Sequence, residues 1–263
     1  MLTRLIVLTC LLPFLLFFVG CTPRNLPTTS DLVALHLEGL NQLSQHKFVV
    51  AEAVLLKLVS ESQRAFVPRF NLAVAQLNQA EKGIDRALKT LTIADKLNPD
   101  DPRVHYNLGI IHRFLGEEEA ALAEFKNALT RAPRDSDCHY QVAIGLIRTG
   151  KNEEALPHFE MAVQLDPTIR GAWNNLQLAW RRAGRIEDAD RALATFRDLE
   201  SSGRGRAHST KYTEQGKLAE AIRDWIIPGP ADPGPSSMAF QEPIRITEAH
   251  EGGAPPFALV DAD

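Results

Sequence analysis

The chain has 263 residues, of which 44% are hydrophobic and 24% charged, the balance of a globular protein and not of a disordered one. Its formal net charge is −4, and six acids stand against one base after Ile227, so no basic excess is available to neutralise nucleic-acid phosphates and no nucleic-acid partner is expected. The three cysteines, at positions 10, 21 and 138, have neither metal-ligand spacing nor the makings of a disulfide framework.

At the N-terminus, Met1 to Arg4 is a short basic lead and Leu5 to Val19 is apolar apart from Thr9, Cys10 and Pro13, with Gly20-Cys21 following. This is a secretory signal peptide in outline. An apolar run of about 15 residues falls short of the roughly 20 that cross a bilayer as a helix, which favours cleavage. Val19-Gly20-Cys21 resembles the lipobox of bacterial lipoproteins, with Phe18 standing where an aliphatic residue is usual. The resemblance implies a signal peptide over residues 1–20 and lipid attachment at Cys21. With Thr22 after the cysteine, it also implies an outer-membrane anchor facing the periplasm. Several acyl chains on one residue would hold firmly where a single chain holds only marginally. The Pro/Thr-rich stretch over residues 21–30 reads as an extended tether.

The middle of the chain repeats. Pro99, Pro133 and Pro167 are 34 residues apart, as are Ala87, Ala121, Ala155 and Ala189; Ala94, Ala128 and Ala162; and Gly116, Gly150 and Gly184. Each unit reads as two amphipathic helices, for example Pro102 to Leu115 and Glu118 to Arg131, joined at a glycine that can take a positive φ. Asp101 is a helix cap and Pro102 suits the first turn. Leu108, Gly109, Ala121, Phe125, Ala128 and Pro133 in one unit, and Trp173, Leu176 and Ala189 in another, resemble the tetratricopeptide repeat.

That resemblance implies an all-α, right-handed superhelical solenoid of about five helix-turn-helix units over residues 31–227. The units lie near 32–65, 68–101, 102–135, 136–169 and 170–203, with a partial unit at 207–227. The first unit is about 36 residues from the second, which places a longer turn around Ser60 to Val67. Pro157 falls inside a predicted helix and is expected to bend it locally.

After Leu199, Ser201 to Arg206 breaks the helical pattern. Leu218, Ala221, Ile222 and Trp225 then share one helical face, so Tyr212 to Trp225 is expected to form a capping helix. Residues 228–263 have linker composition and read as a disordered tail, with strand-like pieces at Ile244 to Thr247 and Phe257 to Val260. The ending Phe257 to Asp263 resembles the entrance of an FG-GAP (integrin-type) propeller repeat, in which Asp261 and Asp263 would begin a calcium loop.

No phosphate-binding glycine loop, nucleophile elbow or His-Glu-x-x-His helix occurs, so no catalytic residue, cofactor, metal site or small-molecule substrate is expected. His105, His112 and His139 occupy signature columns and read as packing residues, and Cys138 as a buried thiol. In the repeat family the first helix of each unit lines a concave groove that takes a protein or peptide partner. Carried onto this chain, its columns place Arg69, Gln76, Arg103, Tyr106, Asn107, Arg113, Tyr140, Gln141, Arg148, Asn174, Asn175, Arg181 and Arg182 in that groove. Amides, aromatics and arginines of this kind can bond an extended peptide backbone and accept carboxylates. The expected function is a membrane-anchored scaffold for a protein partner in a bacterial cell-envelope assembly. The alternative is a spacer module of a longer surface protein with a calcium-binding propeller.

Overall fold

The computed structural model describes residues 27–227 and the backbone of two strands at 244–248 and 257–259. The expected signal peptide, Cys21, the first part of the tether, and Asp261 and Asp263 lie outside the described residues. Ten α-helices follow one another among the described residues: α1 (Thr29–Ser44), α2 (Phe48–Glu61), α3 (Phe66–Leu77), α4 (Glu81–Leu97), α5 (Pro102–Phe114), α6 (Glu118–Arg131), α7 (Ser136–Arg148), α8 (Asn152–Leu165), α9 (Arg170–Arg182) and α10 (Ile186–Ser201). Each packs on its predecessor and its successor, so the helices stack as five hairpins in a solenoid. No helix among the described residues is long and apolar enough to cross a membrane.

Local chemistry sets the helix ends. Thr28 and Asp31 form a reciprocal capping box on α1, with Asp31 N–H donating to the Thr28 hydroxyl at 3.2 Å and Thr28 N–H donating to the Asp31 carboxylate at 2.9 Å. Asp101 accepts from Arg103 N–H at 2.9 Å and Asp135 from Cys138 N–H at 2.8 Å, which starts α5 and α7. Gly116, Gly150 and Gly184 end the first helices of three units at φ 78°, 79° and 74°. At the first of these, Glu117 N–H reaches back to His112 O and Gly116 N–H to Arg113 O, the paired bonds of a Schellman end. Between the helices the repeated alanines 51, 87, 121, 155 and 189 are fully buried, small enough to bring paired helices close, and Leu55, Leu91, Phe125 and Phe159 fill the space beside them.

Two expectations are corrected. The two extra residues of the early units do not lengthen the turn around Ser60 to Val67: α2 and α3 are joined by four residues, as are α4 and α5, α6 and α7, and α8 and α9. The surplus lies at the start of α4, which has 17 residues where α2, α6 and α8 have 14. The positive-φ residues locate it, since His46, Ala80, Gly116, Gly150 and Gly184 are spaced 34, 36, 34 and 34 apart. Helix α8 runs from Asn152 to Leu165 with Pro157 inside it, where the ring removes the N–H that would otherwise bond the carbonyl of residue 153.

Secondly, Tyr212 to Trp225 is not a capping helix. It contains only two 3-10 turns, Tyr212–Glu214 and Lys217–Ala219, and no α-helix. Gly216 between them sits at φ 104° and ψ 157°, which no helix accommodates. Beyond it, β1 (Ile226–Ile227), β2 (Ile244–Glu248) and β3 (Phe257–Leu259) form an antiparallel sheet in that order, pairing Ile226 with Arg245 and Ile246 with Leu259.

Candidate functional site

The first helices α1, α3, α5, α7 and α9 face a common groove, and the segment after α10 turns back into it. We refer to residues 204–227 as the strap. Its first contact is at the far end of the stack, where Arg206 N–H donates to Thr168 O at 2.8 Å and Arg170 N–H to Arg206 O at 3.2 Å. From Lys217 onward it runs across successive first helices in reverse order, α7, α5, α3 and α1, to Trp225.

Most of the groove's grip is on strap backbone. The Tyr106 hydroxyl donates to Gln215 O at 2.6 Å, and the Asn107 amide to Leu218 O at 2.9 Å. Asn71 makes both bonds of a β-like pair, donating to Ile222 O at 2.9 Å and accepting from Ile222 N–H at 2.7 Å. His36 Nε2 lies 3.0 Å from Arg223 O; a carbonyl can only accept, so this nitrogen carries the proton. Burial holds the His36 ring below its ordinary pKa and outweighs that bond, so the ring is neutral at physiological pH. Trp225 packs with its centroid 5.2 Å from the His36 ring and is buried.

Asp137 is the electrostatic centre of the site. Its carboxylate meets Arg206 Nη1 at 2.7 Å and His208 Nε2 at 2.8 Å, and accepts from Lys217 N–H at 3.2 Å. Burial by itself would raise its pKa, but the His208 ring and the Arg206 guanidinium more than offset that and hold it at about 2. Arg206 also forks onto Asp166 at 2.7 Å, and the His208 ring lies 4.5 Å from that of Tyr140. Burial raises the Tyr106 hydroxyl well above its usual range, so it remains a donor.

The groove residues expected from sequence divide into three sets. Tyr106, Asn107 and Tyr140 meet the strap directly, while Gln141 supports Tyr106 from 3.3 Å and bonds Arg113, whose guanidinium lies 5.3 Å over the Phe125 ring. Arg103 borders a cleft with Lys217 and Glu220. Arg113 and Arg148 line another beside Ser209 and Thr210, with Arg148 bonded to Glu118 at 2.6 Å.

Asn174, Asn175, Arg181 and Arg182 lie on α9 beyond the strap. Asn175 bonds Gly171 O in its own helix, Arg181 pairs with Asp190, and Arg182 is exposed. Arg69 and Gln76 are misplaced: Arg69 bonds Gln63 O, and Gln76 bonds Glu52 and Thr90 on the second-helix side. The physical reason is the surplus at the start of α4, which shifts the α3 columns by two residues. Counted from Phe66, as Pro102 begins α5, the column of Asn107 falls on Asn71, 36 residues earlier. Sequence reasoning missed Asn71 for this reason, and it missed His36, Asp137 and the whole strap.

His105 bonds Glu124 of α6 at 2.8 Å, and His112 bonds Glu117, the residue just before α6, at 2.6 Å. Cys138 is buried, and burial raises its thiol far above the ordinary range, which leaves no thiolate for nucleophilic chemistry. Among the described residues no group of three or more His, Cys, Asp or Glu side chains could hold a metal ion.

Residues 70–136 match the tetratricopeptide repeat family. No curated protein matches the chain. Among solved structures it is similar to "MamA 41-end from Desulfovibrio magneticus RS-1", with a TM-score of 0.58 and 18% identity over 67% of this chain and 98% of that one. It is also similar to "Crystal structure of MamA", at 0.55 and 16% over 63% and 95%. At these identities the likeness is one of fold, and the chain has the tetratricopeptide-type solenoid.

Proposed function

We propose that this protein is a membrane-anchored scaffold that holds a protein partner in a bacterial cell-envelope assembly and catalyses nothing. The observation that carries the partner-binding part is the groove's grip on an extended chain: His36, Asn71, Tyr106 and Asn107 all bond backbone atoms of the strap. A surface that bonds main chain at intervals is a peptide-binding surface, whatever its side-chain preferences. The anchor rests on the lipobox-like Val19-Gly20-Cys21 and its apolar lead.

The test is expression of the full chain in a bacterium, membrane fractionation, and intact mass of wild type beside Cys21→Ser. A lipid mass gain lost in the variant supports the anchor, and equal unlipidated masses overturn it. In the same fraction, a photo-crosslinking residue at Arg181, where α9 lies clear of the strap, is expected to trap a protein partner. One at Val49, which is 69% exposed on α2, is expected to trap none.

A second reading is supported by β3, whose strand ends just before Asp261 and Asp263. In that reading the solenoid is the spacer of a longer surface protein, and calcium binding by the product of a longer reading frame would decide for it.

A further inference from the structure

The strap is a ligand already in place, and its chemistry is legible. Its basic start, Arg206 and His208, faces Asp137 and Asp166; Gly216 crosses above Tyr106; and its aromatic end, Trp225, closes on His36. An added Cβ at Gly216 would lie 2.5 Å from the Tyr106 hydroxyl, so the groove requires near-bare backbone there.

The fit is also incomplete. Asn71 satisfies both ends of its amide on Ile222, whereas the Oδ1 atom of its column mate Asn107 is buried without a hydrogen-bond partner among the described residues, as is His36 Nδ1. Each orphaned polar atom weakens the resident segment relative to one that would satisfy it. The strap is joined to α10 through an exposed Ser/Gly/Arg stretch, so it can leave without unwinding a helix.

We propose that residues 204–227 are an intrasteric occupant of the groove, and that the partner is an extended peptide of the same pattern that displaces them. That pattern is a basic pair, a glycine about ten residues on, and an aromatic residue about nine beyond it. The inference rests on the peptide-binding reading above and adds the ligand's chemistry and its regulation.

The probe is a fluorescein-labelled peptide of residues 204–227, titrated by anisotropy into full-length wild type and into full-length Arg206→Ala/Trp225→Ala. The variant is expected to bind at least tenfold more tightly than wild type, and Asn71→Ala added to it is expected to remove most of the gain. A variant with wild-type helical circular dichroism that binds no peptide overturns the inference. It leaves the scaffold reading standing on the crosslinks from α9, whereas loss of those crosslinks with peptide binding intact overturns only the scaffold reading.

If the double variant loses its helical signal, hydrogen exchange of the wild type decides. Strap amides such as Lys217 and Ile222 exchanging well before the helical core, and slowing on addition of unlabelled peptide, support displacement. Strap amides that exchange only with global unfolding overturn it.

Discussion

Asp137 shows how one buried carboxylate can hold a long segment, because it meets the Arg206 guanidinium, the His208 ring and a backbone N–H of the strap at once. Removing its charge leaves those partners desolvated without compensation, a loss of about 3 kcal/mol by the measured range for broken buried pairs. Asp137→Asn is therefore expected to lower the melting temperature by several degrees, as read by circular dichroism. Acid should act on the same group. Its folded pKa of about 2 lies below the free value of 3.8, so its stabilisation is fully present above the free value and is lost as pH falls toward the folded one. The window from pH 4 down to pH 2 should then cost roughly 2 kcal/mol, visible as a change in Trp225 fluorescence that Asp137→Asn flattens. Gly216→Ala meets two obstacles, an unfavourable φ of 104° and the Tyr106 hydroxyl, and is expected to cost about 1–3 kcal/mol in denaturant titration.

At the scale of elements, the hairpins depend on one left-handed residue at each turn. Glycine supplies it three times, but Ala80 takes φ 53° and ψ −145°, where a Cβ is strained. Ala80→Gly is expected to stabilise the α3–α4 hairpin by about 1 kcal/mol, measured as a raised urea midpoint with unchanged slope. The two surplus residues at the start of α4 set the 36-residue interval from Ala80 to Gly116 apart from its 34-residue neighbours, and they account for the altered column register of α3. A pattern read at one fixed period cannot show on which side of a turn two surplus residues fall. Backbone dihedrals locate them at once.

For the whole molecule, the strap converts a chain of neighbours into a closed structure. A solenoid's contacts are local and its end units fray, but residues 206–225 join Thr168, Asp137, Asn107, Asn71 and His36 across the stack. A chain ending at Ser202 is expected to lose single-transition unfolding, with α1 and α2 amides exchanging before those of α5 to α8 in hydrogen-exchange mass spectrometry. Uniform exchange across the truncated stack would show that the helices alone carry the cooperativity.

The helices, the Asp101 cap, the alanine columns and the glycine turns were legible in the sequence, because they follow from contacts between residues close in the chain that recur at 34-residue intervals. The sequence also singled out Tyr106 and Asn107, and both bond the strap. The strap itself was not legible. Leu218, Ala221, Ile222 and Trp225 have helical spacing, yet they share no helix and only Leu218 lies in a single 3-10 turn, because side chains up to 187 residues away supply the backbone partners that a helix would otherwise provide within itself. Local pattern measures only what a segment can do alone. Asn71, Asn107 and Asp137 decided what this one does, and only the folded stack brings them to it.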